Sequence, residues 1–289
     1  MTMKFGIITD EVSQDLGEAL RLAVDYGLVA VELRSVGDRL VHEHSNEELL
    51  AMKQQVQDAG LTICALSTPI FKCQLSDGQE VAEHREILRQ ALRAASVLDV
   101  DILRAFTFWN QGEFAQTLPK IVKEFKAIVP QLEAAGRTLV VEPDPSVNAS
   151  NAERLVQVLQ AVDSPSVKAL YDPGNHLWDP HGEEPYPFAY DLLRPYIHHV
   201  HLKDAVRKDG EPTAVAIGQG DVGYGELLPR LQQDGYNGYL MVETHYRLHR
   251  ELDDEELKRP QGSGFSDGGY EASKQCLESL RELLVKVSL

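Results

Sequence analysis

Cysteine is scarce: Cys64, Cys73 and Cys276 are the only three in 289 residues, odd in number and without a C-x-x-C pair. That excludes a disulfide framework and a thiolate-built zinc site, and a reducing compartment is expected. Long apolar runs are also missing, so no membrane span is expected. The start, MTMKFGIITDEVSQD, reaches acidic residues by position 10 and has no apolar segment behind a basic end. No signal peptide is expected, and the expected location is cytoplasmic. Positive charge is in deficit, with 28 Lys and Arg against 45 Asp and Glu and a net charge of −17. Such a chain repels phosphate backbones, so nucleic acid is a disfavoured partner and small neutral or weakly charged ligands fit better. No glycine-rich phosphate loop follows the first apolar run, which argues against an open doubly wound sheet.

What is present is a repeat. Short β-branched runs at 5–9, 29–33, 61–67, 101–106, 137–142, 166–172, 197–202 and 239–243 are each followed by a stretch with apolar residues at three- and four-residue spacing. Several helical stretches close on glycine, at Gly27, Gly60 and Gly136. Strand then helix, repeated, implies parallel strands and right-handed crossovers. Eight such units fit an α/β fold with a single (β/α)8 TIM barrel over residues 1–289. The polar segment 246–268 reads as a loop with a short helix, a candidate lid or oligomer contact.

In such barrels chemistry gathers at the C-terminal ends of the strands. Strands five to eight end on Glu142, Asp172, His201 and Glu243. Their spacing approximates one βα unit each, so the four side chains belong to successive strands at one level. Val140, Leu170 and Met241, two residues earlier, would fill the interior beneath. One carboxylate at a strand end is ordinarily a helix cap or solvated. Four ionisable groups in register are another matter: three carboxylates and an imidazole would repel one another unless a cation neutralised them. One divalent metal ion is expected, Mn2+ or Mg2+ favoured by oxygen-rich ligation, Co2+ or Zn2+ also compatible. His199 and His198 read as structural, Glu32 as a strand-end carboxylate able to reach a ligand, Trp109 and Trp178 either as apolar walls of a site or as ordinary loop packing, and Gly218 to Asp221 as a tight turn.

The motifs EP after strand five, DPGN after strand six, HVHLKD at strand seven and VETH at strand eight, with the opening ITDEVSQDLGEAL, resemble the xylose isomerase-like barrels. Within them the chain is similar to the sugar phosphate isomerase/epimerase group of ketose 3-epimerases, hydroxypyruvate isomerases and inosose dehydratases. The resemblance covers essentially the whole chain. It implies that Glu142, Asp172, His201 and Glu243 bind the metal and that Glu142 and Glu243 serve as catalytic acid and base on opposite faces of the substrate carbon. It also places Arg207, six residues after the ligand histidine, on the substrate. The family's histidine three residues past the metal aspartate is replaced here by Asn175, with a histidine next door at His176. Asn175 or His176 is therefore expected to face the substrate, alongside Trp109, and substrate identity does not transfer.

The expected activity is isomerisation or epimerisation of a small sugar-like carbonyl compound through a metal-stabilised enediolate. The alternatives are a dehydratase of keto-cyclitol or dehydroshikimate type and a non-catalytic sugar-binding barrel. The related endonucleases that cut abasic DNA need a trinuclear cluster richer in histidine, which the first four strands do not supply. Relatives often pair, so a homodimer or homotetramer is in keeping with the resemblance.

Overall fold

In the computed structural model, which describes residues 3–208 and 210–289, each of the eight apolar runs forms a strand. They are β1 (Lys4–Ile8), β2 (Ala30–Leu33), β3 (Thr62–Ile70), β4 (Ile102–Ala105), β5 (Thr138–Val141), β6 (Val167–Tyr171), β7 (Ile197–Leu202) and β8 (Tyr239–Val242). Each pairs in parallel with its sequence neighbour, and β8 returns to β1 to close the barrel. The sheet therefore has no edge.

The principal helices are α1 (Leu16–Asp25), α2 (Asn46–Asp58), α3 (Gly78–Leu98), α4 (Phe114–Ala135), α5 (Ala152–Val162), α6 (Tyr190–Leu193), α7 (Tyr224–Gln233) and α8 (Gly269–Lys286). Local sequence starts and stops them. Asp15, Ser45, Asp77 and Asn151 accept backbone N–H groups at the starts of α1, α2, α3 and α5. At the end of α4, Gly136 takes φ of 62°, a left-handed turn that glycine adopts without a Cβ penalty.

The barrel axis is plugged by Ile8, Ala30, Cys64, Ala65, Ile102, Val140, Leu170 and Met241, which form one buried cluster separate from the shell between strands and helices. The full burial of Val140, Leu170 and Met241 stabilises the fold by about 1.5–3 kcal/mol for each side chain. Gly6 makes room for this plug, because a Cβ there would stand 2.5 Å from the Ala30 carbonyl oxygen and from the Met241 methyl.

Three features depart from the expected pattern. The first strand stops at Ile8, and Thr9–Val12 turns helical. Two small antiparallel hairpins, Ser35–Val36 with Arg39–Leu40 and Asp204–Lys208 with Glu211–Val215, stand on the strand-end side. The polar segment after β8 carries two short helices, Asp254–Lys258 and Gly262–Ser266.

Candidate metal centre

Alternation along β5, β6 and β8 lifts a polar residue above the plug residues Val140, Leu170 and Met241, and along β7 it lifts His201 above His199. Glu142, Asp172, His201 and Glu243 emerge this way from β5 to β8, each no more than 2% exposed. Each offers a ligand atom, and these atoms lie within 4.8 Å of one another. His201 is aimed from behind: its Nε2 is 3.2 Å from Glu32 Oε2, while Nδ1 faces the cluster without a hydrogen-bond partner. Its nearest carboxylate oxygens there belong to Glu243 at 3.5 Å and Glu142 at 3.9 Å. Buried carboxylate oxygens around an unpartnered imidazole nitrogen make a donor set that fits a divalent cation.

The same carboxylates already meet cations that spacing arguments overlooked. Lys203 Nζ lies 2.7 Å from Asp172 Oδ2 and 2.8 Å from Glu243 Oε2. Arg104 Nη1 is 3.0 Å from Glu142 Oε2, and Arg34 Nη1 is 3.1 Å from Glu243 Oε1. These side chains share in the neutralisation for which one divalent ion was expected. All three were within reach of the alternation rule: Lys203 follows His201 by two, Arg34 follows Glu32 by two, and Arg104 follows the plug residue Ile102 by two.

These charges set the protonation states. Burial favours neutral Glu243, yet Lys203, His245 and His201 outweigh it and hold its pKa well below the usual carboxylate range. Burial, reinforced by the Glu243 and Glu142 charges, pushes Asp172 up to about 7 against the pull of Lys203. Burial would lower His201, but Glu32 and Glu243 raise it to about 10. Lys203 likewise resists burial, with Asp172, Glu243 and Glu142 holding its pKa above the ordinary lysine value. Burial drops His245 to about 3, so its neutral Nδ1 accepts from Lys203 Nζ at 3.1 Å.

Two other groupings have metal-compatible spacing among the described residues, Glu32–His199–His201 and Glu11–Glu243–His245. In the first, both imidazole Nε2 atoms already face Glu32, His199 at 2.8 Å. In the second, Arg34 occupies Glu11 at 2.7 Å. His199 is thus the bonded core histidine expected, whereas Glu32 braces two histidines and lines neither of the two cavities that contain Arg104.

A cavity of about 270 Å³ opens above the cluster. Its floor includes Glu142, Glu243, Asn175, Lys203 and His245, its sides include Phe106 and Trp178, and Leu257, Lys258 and Pro260 of the 246–268 segment form a further wall. Of the four clustered residues, Glu142 and Glu243 line it; Asp172 and His201 lie below. Asn175 Nδ2 donates to Glu142 Oε1 and to the Pro143 carbonyl, each at 3.0 Å.

The other expected substrate contacts fall elsewhere. His176 is fully buried with Nδ1 2.8 Å from Glu183 Oε1, a carboxylate that also accepts N–H groups at the start of α5. Arg207 donates through Nε to the Leu177 carbonyl at 2.8 Å, tying its hairpin to the loop after β6. Neither His176 nor Arg207 lines the cavity, nor does Trp109, which bridges to Val147 and leaves the apolar wall to Trp178. The Gly218–Asp221 turn wraps Asp204, whose Oδ2 accepts from the Gly218 and Gly220 amides at 2.8 and 2.9 Å.

Comparison with known proteins places the fold. No curated protein sequence matches the chain. Among solved structures, D-psicose 3-epimerase from Clostridium cellulolyticum H10, determined with D-tagatose, superposes with a TM-score of 0.72 at 16% identity, covering 98% of this chain and 99% of that one. The probable 3-DHS dehydratase AsbF from Bacillus anthracis gives 0.71 at 18%, covering 96% and 99%. A xylose isomerase domain protein from Planctomyces limnophilus gives 0.70 at 18%, covering 93% of each chain. At these identities the likeness is one of fold. The family profile described as xylose isomerase-like TIM barrel matches residues 20–267, a span containing all four clustered residues, and the chain belongs to that family.

Proposed function

We propose that the protein is a metal-dependent enzyme that moves a proton at a carbon beside a carbonyl in a small polyhydroxylated substrate, as an isomerase or epimerase. The observation carrying this reading is that Glu142 and Glu243, out of the four clustered residues, are the two that reach the cavity. Glu142, Asp172, His201 and Glu243 would hold the ion, Mn2+ or Mg2+ being suited to three oxygen donors and one nitrogen. Bound there, a divalent cation supplies positive charge beside the substrate's carbonyl and hydroxyl oxygens, which acidifies the C–H bond between them.

The chain's own groups do the rest. Glu243 is ionised because the charges of Lys203 and His201 face it, so it is in the form that accepts a proton. Glu142 is oriented by Asn175 and Arg104 from two sides. Proton abstraction by one glutamate and return by the other inverts or relocates a hydroxyl-bearing centre. Phe106 and Trp178 exclude water from the upper cavity and offer faces to C–H bonds of the substrate.

Solvent deuterium exchange tests this reading. With Mn2+ present, the protein is expected to incorporate deuterium into a ketose or keto-cyclitol at the carbon next to the carbonyl. Glu243→Gln is expected to keep the fold and lose exchange by roughly 100-fold to 10,000-fold. Exchange at the wild-type rate in that variant rejects the assignment.

A further inference from the structure

Although the chain carries a net charge of −17, three cations meet on one side of the cavity. A second cavity of about 390 Å³ adjoins the first and shares Lys72, Arg104, Phe106, Lys258 and Pro260 with it. Lys72 Nζ and Arg104 Cζ lie 4.3 and 4.9 Å from the centre of the same Phe106 ring, and both side chains line both cavities. The carboxylates that line the two cavities are engaged: in the second, Glu80 Oε2 accepts the Gln74 amide at 2.7 Å and Glu83 Oε1 accepts from Gln79 Nε2 at 3.0 Å. Asp144 Oδ2 is 3.0 Å from Lys72, and its Oδ1 accepts the Ser146 amide. Glu142 serves Arg104, Asn175 and the metal cluster at once. Asp254 stands 3.6 Å from Lys258 at the surface, where such pairs are weak.

Arg104 is 4% exposed, and its Nε–H has no acceptor. A buried N–H without a partner costs free energy unless a ligand or water supplies the missing oxygen. Once Glu142 also serves a metal ion, it is shared between that ion and Arg104, and the Arg104 guanidinium is left with less negative charge of its own.

We propose, building on the proton-transfer reading, that the substrate is a hydroxylated carbonyl compound bearing a carboxylate, which binds at the junction of Lys72, Arg104 and Lys258. A guanidinium edge and an ammonium suit a planar two-oxygen anion. A phosphate monoester brings nearly two negative charges to lysines that already face Asp144 and Asp254, whereas a carboxylate brings one. The carbonyl end then lies over Glu142 and Glu243, and the carboxylate end reaches toward the second cavity.

D-fructose, D-fructuronate and D-fructose 6-phosphate differ at the terminal group and form a matched set of probes. With Mn2+-loaded protein, deuterium exchange is expected to favour fructuronate over fructose by about tenfold or more in kcat/KM. Lys72→Gln is expected to collapse that ratio. Lys258→Gln, at an exposed position, is expected to reduce it and covers the case in which the Lys72 variant misfolds. Equal rates for acid and neutral sugar overturn the carboxylate assignment and leave proton transfer standing, and a preference for the phosphate overturns it in favour of that anion. Should none of the three exchange, proton transfer on these sugars fails, and calorimetric binding to the Mn2+-loaded protein decides the assignment separately. Tighter binding of fructuronate than fructose, weakened in Lys72→Gln, upholds it; equal or absent binding overturns it.

Discussion

In the proposed metal-binding role, His201 is oriented by the residue behind it. Glu32 faces Nε2 and fixes the ring so that Nδ1 turns toward the cluster, while Ser67 Oγ donates to the same carboxylate. Removing that brace by Glu32→Gln is expected to weaken Mn2+ binding about 10-fold to 100-fold in a chelator-competition titration. Affinity unchanged from wild type would show that Glu32 has no orienting role. The same contacts have a pH consequence. In chelator-treated protein the folded pKa of His201 is raised from 6.5 to about 10. Its contribution to stability is therefore complete below pH about 6.5 and lost as pH rises through about 10. The melting temperature of metal-free wild type is expected to fall more steeply across that window than that of His201→Gln. Parallel slopes for the two proteins would contradict the raised value.

Among elements, the turn after β6 links the fold to the chemistry. Asp172 precedes it, Pro173 and Gly174 form it, and Asn175 leaves it aimed at Glu142. A Cβ on Gly174 would stand 2.6 Å from the Lys203 carbonyl oxygen, so the turn packs directly against the residue that follows β7. Gly174→Ala is expected to cost about 1–3 kcal/mol by thermal denaturation, and to slow exchange by displacing Asn175. A variant with wild-type stability and rate would show that the turn can shift without consequence. The register of β5, β6 and β8 was legible because Glu142, Asp172 and Glu243 each sit two positions above an apolar plug residue, while in β7 His201 sits two above His199. Arg104 sits above Ile102 in the same way and Lys203 continues the β7 alternation, yet a search for acids and imidazoles passes over cations. Positions after the strands were harder to read. His176 and Asn175 are adjacent in sequence but diverge, one toward Glu183 and the other toward Glu142, because loop conformation rather than spacing decides where each points. The hairpin bearing Arg207 has no alternating apolar run, and its arginine is consumed by a carbonyl contact that sequence does not encode locally.

For the whole molecule, the closed barrel explains why so many charges are tolerated together. An apolar plug seals the axis below, helices cover the outside, and the segment after β8 leans over the mouth, so Coulomb attraction operates with little screening water. A protein that binds a metal only in this folded arrangement gains stability by mass action. At free Mn2+ of 100 times the dissociation constant the gain is about 2.7 kcal/mol, expected as a melting-temperature rise of roughly 5 °C or more. No shift on adding Mn2+ would argue that the cluster is satisfied by Lys203, Arg104 and Arg34 alone.

The central claim is that Glu142, Asp172, His201 and Glu243 together hold one divalent ion, and metal stoichiometry in paired proteins addresses it most directly. Wild type and Asp172→Asn, each stripped with chelator, reloaded with Mn2+ and desalted, would be assayed by elemental analysis. One ion per chain in wild type, with most of it lost in Asp172→Asn while the circular dichroism spectrum is retained, is the predicted result. Absence of Mn2+ from wild type, or full retention in the variant, would contradict the account.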